Sequence, residues 1–283
     1  MMNITDVESS GWDSDYSVVD SYKAGGKEFL YCYKPDTGEW FTRYIDGVYG
    51  KIGMGDVRNG VLERARYVQF IYTVQTMNFL YLYSEKELAW SIRRLNDDGS
   101  VGDVTDYGVW SGGNIWWHNH VCYWVDDKLF VLLHNIDSQT WMTYELLSNG
   151  TIDRAERASG TLERNYTGLY ACRAGSRSYL YAQTSHYEPG ADNQAYTLRV
   201  LTRDGTLGQV TEDAGFMQCP PKVQIFTSNG KDHLFGYYPD SGLYFAREIM
   251  PGGTVSTDQV LSGYMEPGYG KAFKLFSGLK GVE

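Results

Sequence analysis

The 283-residue chain is poor in proline and in basic residues, and its cysteines follow no ligand or redox spacing. Only 7 prolines stand against 32 glycines, which excludes a proline-rich disordered chain. Lys and Arg total 25 against 35 Asp and Glu, a net charge of −10, and no basic run offsets the average. Nucleic acid and anionic membrane are therefore not expected partners, because both need a basic face. Cys32, Cys122, Cys172 and Cys219 show no CxxC pair and read as free buried thiols rather than a disulfide framework or zinc site. No window approaches the roughly 18 apolar residues of a membrane span. The acidic N-terminus MMNITDVESS has no apolar signal core, so the expected compartment is the cytoplasm, with non-classical release left open. GxSxG, Walker, GxGxxG and HExxH motifs are lacking too, and no cofactor or metal is expected.

What the chain has is aromatic residues: 24 Tyr, 11 Phe and 8 Trp. The stretch Glu28 to Trp40, EFLYCYKPDTGEW, reads as a short apolar strand, a Pro-Asp-Thr-Gly turn and the start of a second strand. It returns in weakened form about every 51 residues. The aromatic after the turn falls at Trp40, Trp90, Trp141, Tyr196 and Tyr244, and a second turn glycine at Gly47, Gly99, Gly150, Gly205 and Gly253. Two markers in one phase define a module of four short strands: A before the hairpin, B and C forming it, and a more polar D after the second glycine. Tight A–B, B–C and C–D turns with a longer D–A crossover describe a propeller blade, with A innermost and D outermost.

The expected fold is all-β: a β-propeller of five four-stranded blades, with six blades, the last incomplete, as the alternative. One domain covers residues 1–283, with repeats at about 12–62, 63–113, 114–163, 164–216 and 217–265 and a further C-terminal strand within 266–283. The alternative rests on the chain ends: Ile4-Thr5-Asp6-Val7 matches the D strand at Val104-Thr105-Asp106, and Lys271 to Phe276 resembles a sixth A strand.

Blades of this length, with aromatic runs, TG-type hairpin turns and DG turns, resemble β-propeller lectins of the tachylectin-like and fungal fruit-body types. The Gly-Gly-Trp repeat of the tachylectin type is absent. The resemblance implies a non-catalytic binding protein with similar pockets around a ring, so the expected ligand is a glycan or another small polar molecule; a protein-interaction scaffold and a glycan-active hydrolase or lyase using the central channel are the alternatives. Enzymatic activity is left open, leaning against.

The repeated polar position lies three after the ruler aromatic: Arg43, Arg93, Arg199 and Arg247, with Tyr144 in the third copy. Each arginine shares a strand face with an apolar residue and needs a carboxylate from a neighbouring strand, or else a ligand. Trp110, Asn114, Trp116 and Trp117 gather at one crossover, where flat rings could stack on a sugar. His118, His120 and Cys122 read as channel or core residues rather than a metal site, and a glycosidase reading would draw its carboxylates from Asp13, Asp15 and Asp20.

Overall fold

The computed structural model describes residues 16, 18–45, 52–53, 55–62, 67–110, 115–184, 195–215, 220 and 222–264. They form five antiparallel four-stranded sheets arranged as a β-propeller. Blade 1 is β1 (Val18–Ala24), β2 (Lys27–Tyr33), β3 (Glu39–Ile45) and β4 (Arg58–Val61); blade 2 is β5 (Tyr67–Val74), β6 (Met77–Ser84), β7 (Ala89–Leu95) and β8 (Val101–Val109). Blade 3 is β9 (Asn119–Val125), β10 (Lys128–His134), β11 (Thr140–Leu146) and β12 (Ala158–Thr161), and blade 4 is β13 (Gly168–Ala174), β14 (Arg177–Gln183), β15 (Ala195–Leu201) and β16 (Leu207–Gly215). Blade 5 is β17 (Lys222–Ser228), β18 (Lys231–Tyr237), β19 (Leu243–Met250) and β20 (Thr254–Tyr264). No helix occurs among the described residues.

The second strand of each blade is buried on both faces, which is why it reads as a continuous apolar run rather than an alternation. Phe29 through Tyr33 are all 0% exposed. Alternate residues of this strand serve opposite neighbours. Phe29, Tyr31 and Tyr33 join Leu80 and Leu82 of blade 2 in one core; Phe79, Tyr81 and Tyr83 join Val131 and Leu133 of blade 3. Phe130 and Leu132 join Leu180 and Ala182 of blade 4, and Tyr179 and Tyr181 join Leu234 of blade 5.

The repeated second-turn glycine is the other half of that seam. At Gly150 φ is +78°, and a Cβ there would stand 2.5 Å from Phe79 Cδ1 of the preceding blade, closer still to Cε1. Gly99 meets Phe29, Gly205 meets Phe130 and Gly253 meets Tyr179 in the same way. Each glycine carbonyl then accepts a threonine hydroxyl from the preceding blade: Thr42 to Gly99 (3.0 Å), Thr105 to Gly150 (2.7 Å), Thr143 to Gly205 (2.9 Å) and Thr211 to Gly253 (2.7 Å). Asp106 and Glu212 add carboxylates that accept the backbone N–H of Ile152 and Val255 across the same seams.

The third inner strand starts only at Asn119, because the Trp117 ring turns inward (1% exposed) and its backbone leaves the ladder. The outer strand of blade 3 is a single bridge at Ile152 followed by β12, since residues 153–157 bow out where Arg157 pairs with both Asp153 (2.5 Å) and Glu145 (2.9 Å).

Candidate functional site

Side chains of the inner strands point alternately at the preceding and the following blade. One register row consists of Gln69, His120, Leu169 and Val223, which pair in their ladders with Leu82, Leu133, Ala182 and Gly236. At the seam between blades 2 and 3 this row is fully paired. His120 Nδ1 lies 3.0 Å from the Tyr81 hydroxyl and its Nε2 3.0 Å from the Trp117 carbonyl, while Trp110 Nε1 donates to the same Tyr81 oxygen at 3.1 Å. Enclosure of the imidazole between Tyr81 and Tyr83 depresses its pKa to about 3, only partly offset by the bond to Trp117.

At the seam between blades 1 and 2 the same positions are filled differently. Tyr31 takes the place of Tyr81, Gln69 that of His120, and Leu62 that of Trp110. Leucine offers no N–H. The Tyr31 hydroxyl and both amide atoms of Gln69 are buried with no protein partner among the described residues, as are the Tyr22 hydroxyl and Arg93 Nε. Burial drives the Tyr31 pKa far up, with Arg93 pulling the other way. Arg93 otherwise makes a long 3.4 Å contact from Nη1 to the Gly102 carbonyl. Asp20 stands opposite Tyr31 in the ladder and accepts N–H bonds from Ser21 (3.0 Å) and, across the seam, Ile71 (3.2 Å). It is the one carboxylate on the five inner strands. A buried hydroxyl or amide left unpaired costs about 1–3 kcal/mol, so this seam carries buried polar atoms that the described residues do not satisfy.

The residues singled out by sequence are distributed elsewhere. Arg43 pairs with Asp56 at 2.9 Å and lies over Phe41. Arg199 pairs instead with Glu163, whose other oxygen accepts the Tyr166 hydroxyl (2.6 Å), and Arg247 lies over Phe245. Arg93, Arg199 and Arg247 all sit at register shifts where the third strand meets the fourth. Tyr144 donates to Met142 Sδ at 3.2 Å. Trp110 stacks between Trp90 and Tyr144, and Trp117 is buried; only Trp116, 59% exposed, offers a free ring, and Asn114 lies outside the described residues. His118 stands 3.9 Å from Asp137, and no cluster of three metal-ligating side chains occurs among the described residues. Asp13 and Asp15 are also outside them.

Gln69 and Tyr31 were not anticipated. The signal was there, an amide in a row otherwise holding Leu169, Val223 and a bonded His120, but it becomes visible only once blades are aligned by register rather than by turn markers.

No protein-family model matches the chain, and no curated protein matches it in sequence. Among solved structures, an α-L-arabinofuranosidase from Clostridium thermocellum is similar over 86% of this chain and 94% of its own, with a TM-score of 0.56 and 12% identity. A candidate 6-phosphogluconolactonase from Bacteroides fragilis is similar over 87% and 83% (TM-score 0.54, 14% identity). An exo-β-1,3-galactanase from Phanerochaete chrysosporium, solved with galactose, is similar over 88% and 66% (TM-score 0.55, 8% identity). At these identities the likeness is one of fold.

Proposed function

We propose that the protein binds a carbohydrate, or a comparable polyhydroxylated molecule, in the recess formed by Asp20, Tyr31, Gln69 and Arg93 at the inner end of the first blade seam. The observation that carries this reading is the contrast between two equivalent seams, one fully paired at Tyr81 and His120, the other with a buried hydroxyl and a buried amide unpartnered. Sugar hydroxyls both donate and accept, so they suit an amide, a phenol, a guanidinium and a carboxylate converging on one spot. The reading departs from the lectin expectation of many similar pockets, because the seams between later blades use the same positions for packing.

Calorimetry against a panel of mono- and oligosaccharides tests it. Gln69→Leu copies what blade 4 has at that position and Tyr31→Phe removes one oxygen; each is expected to weaken binding about tenfold or more, the effect of losing one buried hydrogen bond. Folded wild-type protein with no heat at millimolar sugar, or variants that bind as the wild type does, would refute it.

A second reading, hydrolysis at the same place, is favoured over the lectin type by the solved propellers named as glycosidases and by the position of Asp20. Glycoside hydrolysis needs a second carboxyl group about 5–10 Å from the first, and Asp13 or Asp15 would have to supply it. Turnover of aryl glycosides that disappears in Asp20→Asn while sugar binding persists would establish this reading over simple binding.

A further inference from the structure

The second turns of blades 2, 3 and 4 share one local structure with a single chemical substitution. In Asp98-Gly99-Ser100 and Asp204-Gly205-Thr206 the aspartate Oδ1 accepts two bonds from the residue two places on. Ser100 donates its N–H at 3.0 Å and its hydroxyl at 2.6 Å, and Thr206 does so at 3.1 and 2.8 Å. In Asn149-Gly150-Thr151 the amide oxygen takes the same two bonds, from the Thr151 N–H at 3.2 Å and its hydroxyl at 2.7 Å. An amide therefore stands where the neighbouring copies have a carboxylate, and blade 5 has Gly252 there.

The preceding blade supplies the reason. By ladder position, the outer-strand residue nearest this turn is Arg58 in blade 1, Asp106 in blade 2, Ala158 in blade 3 and Glu212 in blade 4. Arg58 pairs with Asp98 at 2.9 Å, so the two positions reach each other across a seam. Asp106 and Glu212 belong to the threonine-carboxylate clasps Thr105-Asp106 and Thr211-Glu212, and accept the N–H of Ile152 and Val255, three residues after Asn149 and Gly252. Asp106 also takes Arg154 at 2.6 Å. Among these four turns, aspartate occurs only opposite a cation or an alanine. Opposite a carboxylate the turn residue is uncharged, since like charges facing each other there would repel.

We propose that Asn149 is a site of spontaneous deamidation, and that the carboxylate formed there loosens the seam between blades 2 and 3. Asn149 is exposed, and Gly150 has no side chain to shield its nitrogen. The two bonds from Thr151 draw electrons from the Asn149 amide carbon, the atom attacked. The Gly150 nitrogen gives its proton to solvent base and bonds to that carbon; the amide nitrogen takes up a proton and leaves as ammonia. Water then opens the cyclic imide at one of its carbonyls, returning N–H to the chain and leaving a carboxylate. The aspartate product keeps the turn bonds. Bonds from the Ser100 hydroxyl to Asp98, and from the Thr202 and Thr206 hydroxyls to Asp204, hold those carboxyls at about 2, so the product is charged at neutral pH, on the side where Asp106 stands. The isoaspartate product inserts a methylene into the main chain before Gly150, which Phe79 and the Thr105 hydroxyl already hold in place.

The test ages the full-length folded protein in mildly alkaline buffer and maps its peptides by mass spectrometry, with the urea-unfolded chain alongside. Asn149 is expected to be converted in both. The product is then made directly: Asn149→Asp should lower Tm by about 1–2 °C at low salt, and by nothing once Asp106→Asn is also present. Asn229→Asp controls for the added charge, because Asn229-Gly230 is the same dipeptide in a hairpin turn with nothing within 4 Å of a built Gly230 Cβ; it should move Tm by less than about 1 °C. An Asn149 that stays an amide in the folded protein, while the unfolded chain loses it, overturns the proposal. So does an Asn149→Asp chain as stable as the wild type, or one whose loss is the same with and without Asp106→Asn.

Discussion

Replacing Gly150 by alanine separates two costs that the seam imposes on one residue. The first is conformational: at φ +78° an L-residue costs about 1–2 kcal/mol. The second is steric, because the new Cβ would press on the edge of the fully buried Phe79 ring, an overpacking worth about 1–3 kcal/mol. Gly230 isolates the first, since it has φ +74° with nothing within 4 Å of a built Cβ, and Gly252, with open space and no positive φ, controls for both. Unfolding entropy of about 2.1 cal/mol/K per residue gives roughly 0.6 kcal/mol/K for a chain of this size. Gly150→Ala should therefore lower Tm by about 3–8 °C, Gly230→Ala by about 2–3 °C and Gly252→Ala by less than about 1 °C, read by differential scanning calorimetry. A Gly150→Ala variant no less stable than Gly230→Ala would mean that the glycine serves only the turn, and the account of the seam would fall.

His120 makes stability pH-dependent: its folded pKa of about 3 lies below the ordinary 6.5, so the unfolded chain binds a proton that the folded chain refuses. Stability should fall as pH drops from about 6.5 towards 3, by up to about 1.4 kcal/mol per unit from this group, and His120→Gln, the residue blade 2 uses there, should flatten the urea-midpoint profile between pH 7 and 5. Burial pushes the Cys32 thiol up to about 12 and those of Cys122 and Cys172 higher still, so in a Cys219→Ser background no thiol should titrate at pH 8 until denaturant is added. Burial raises the Glu163 pKa, but the hydroxyl of Tyr166, its own backbone and Arg199 lower it further, leaving it below the usual carboxylate value. Its contribution is present above about pH 4.5 and lost as pH falls through the folded value; with the carboxylate a third exposed, Glu163→Gln should cost no more than about 1 kcal/mol by chemical denaturation at pH 7 and little at pH 3.

The fold was legible because its two recurring markers are mechanical parts. The ruler aromatic caps the buried second strand, as where Trp40 stacks on Tyr31, and the second-turn glycine is where the next blade touches, so neither can drift without opening a seam. The arginines were legible as needing partners, and Arg43 with Asp56 confirms the logic, yet Arg199 finds Glu163 from the crossover instead of a carboxylate on its own outer strand. That choice depends on the register shift beside Arg199, which sequence spacing does not encode. The tryptophan cluster misdirects for a related reason: Trp110 and Trp117 turn into the core because Tyr81 and Tyr83 present hydroxyls there, to the Trp110 indole (3.1 Å) and the Trp117 N–H (3.5 Å).

A repeat protein that closes on itself needs every seam to satisfy one set of contacts, so a position that abandons the shared solution has been released from that duty. By this measure the chain departs twice. Gln69 with Leu62 leaves the Tyr31 hydroxyl without the bond that His120 and Trp110 give Tyr81, and His233 with Val260 and Leu261 leaves blade 5 without the ring and clasp that join the others. The first departure keeps polar atoms at a cost in stability, which a purely structural seam would avoid by using leucine, as blade 4 does with Leu169. Substituting the shared residue back tests the first: Gln69→Leu should stabilise the seam while weakening ligand binding about tenfold or more.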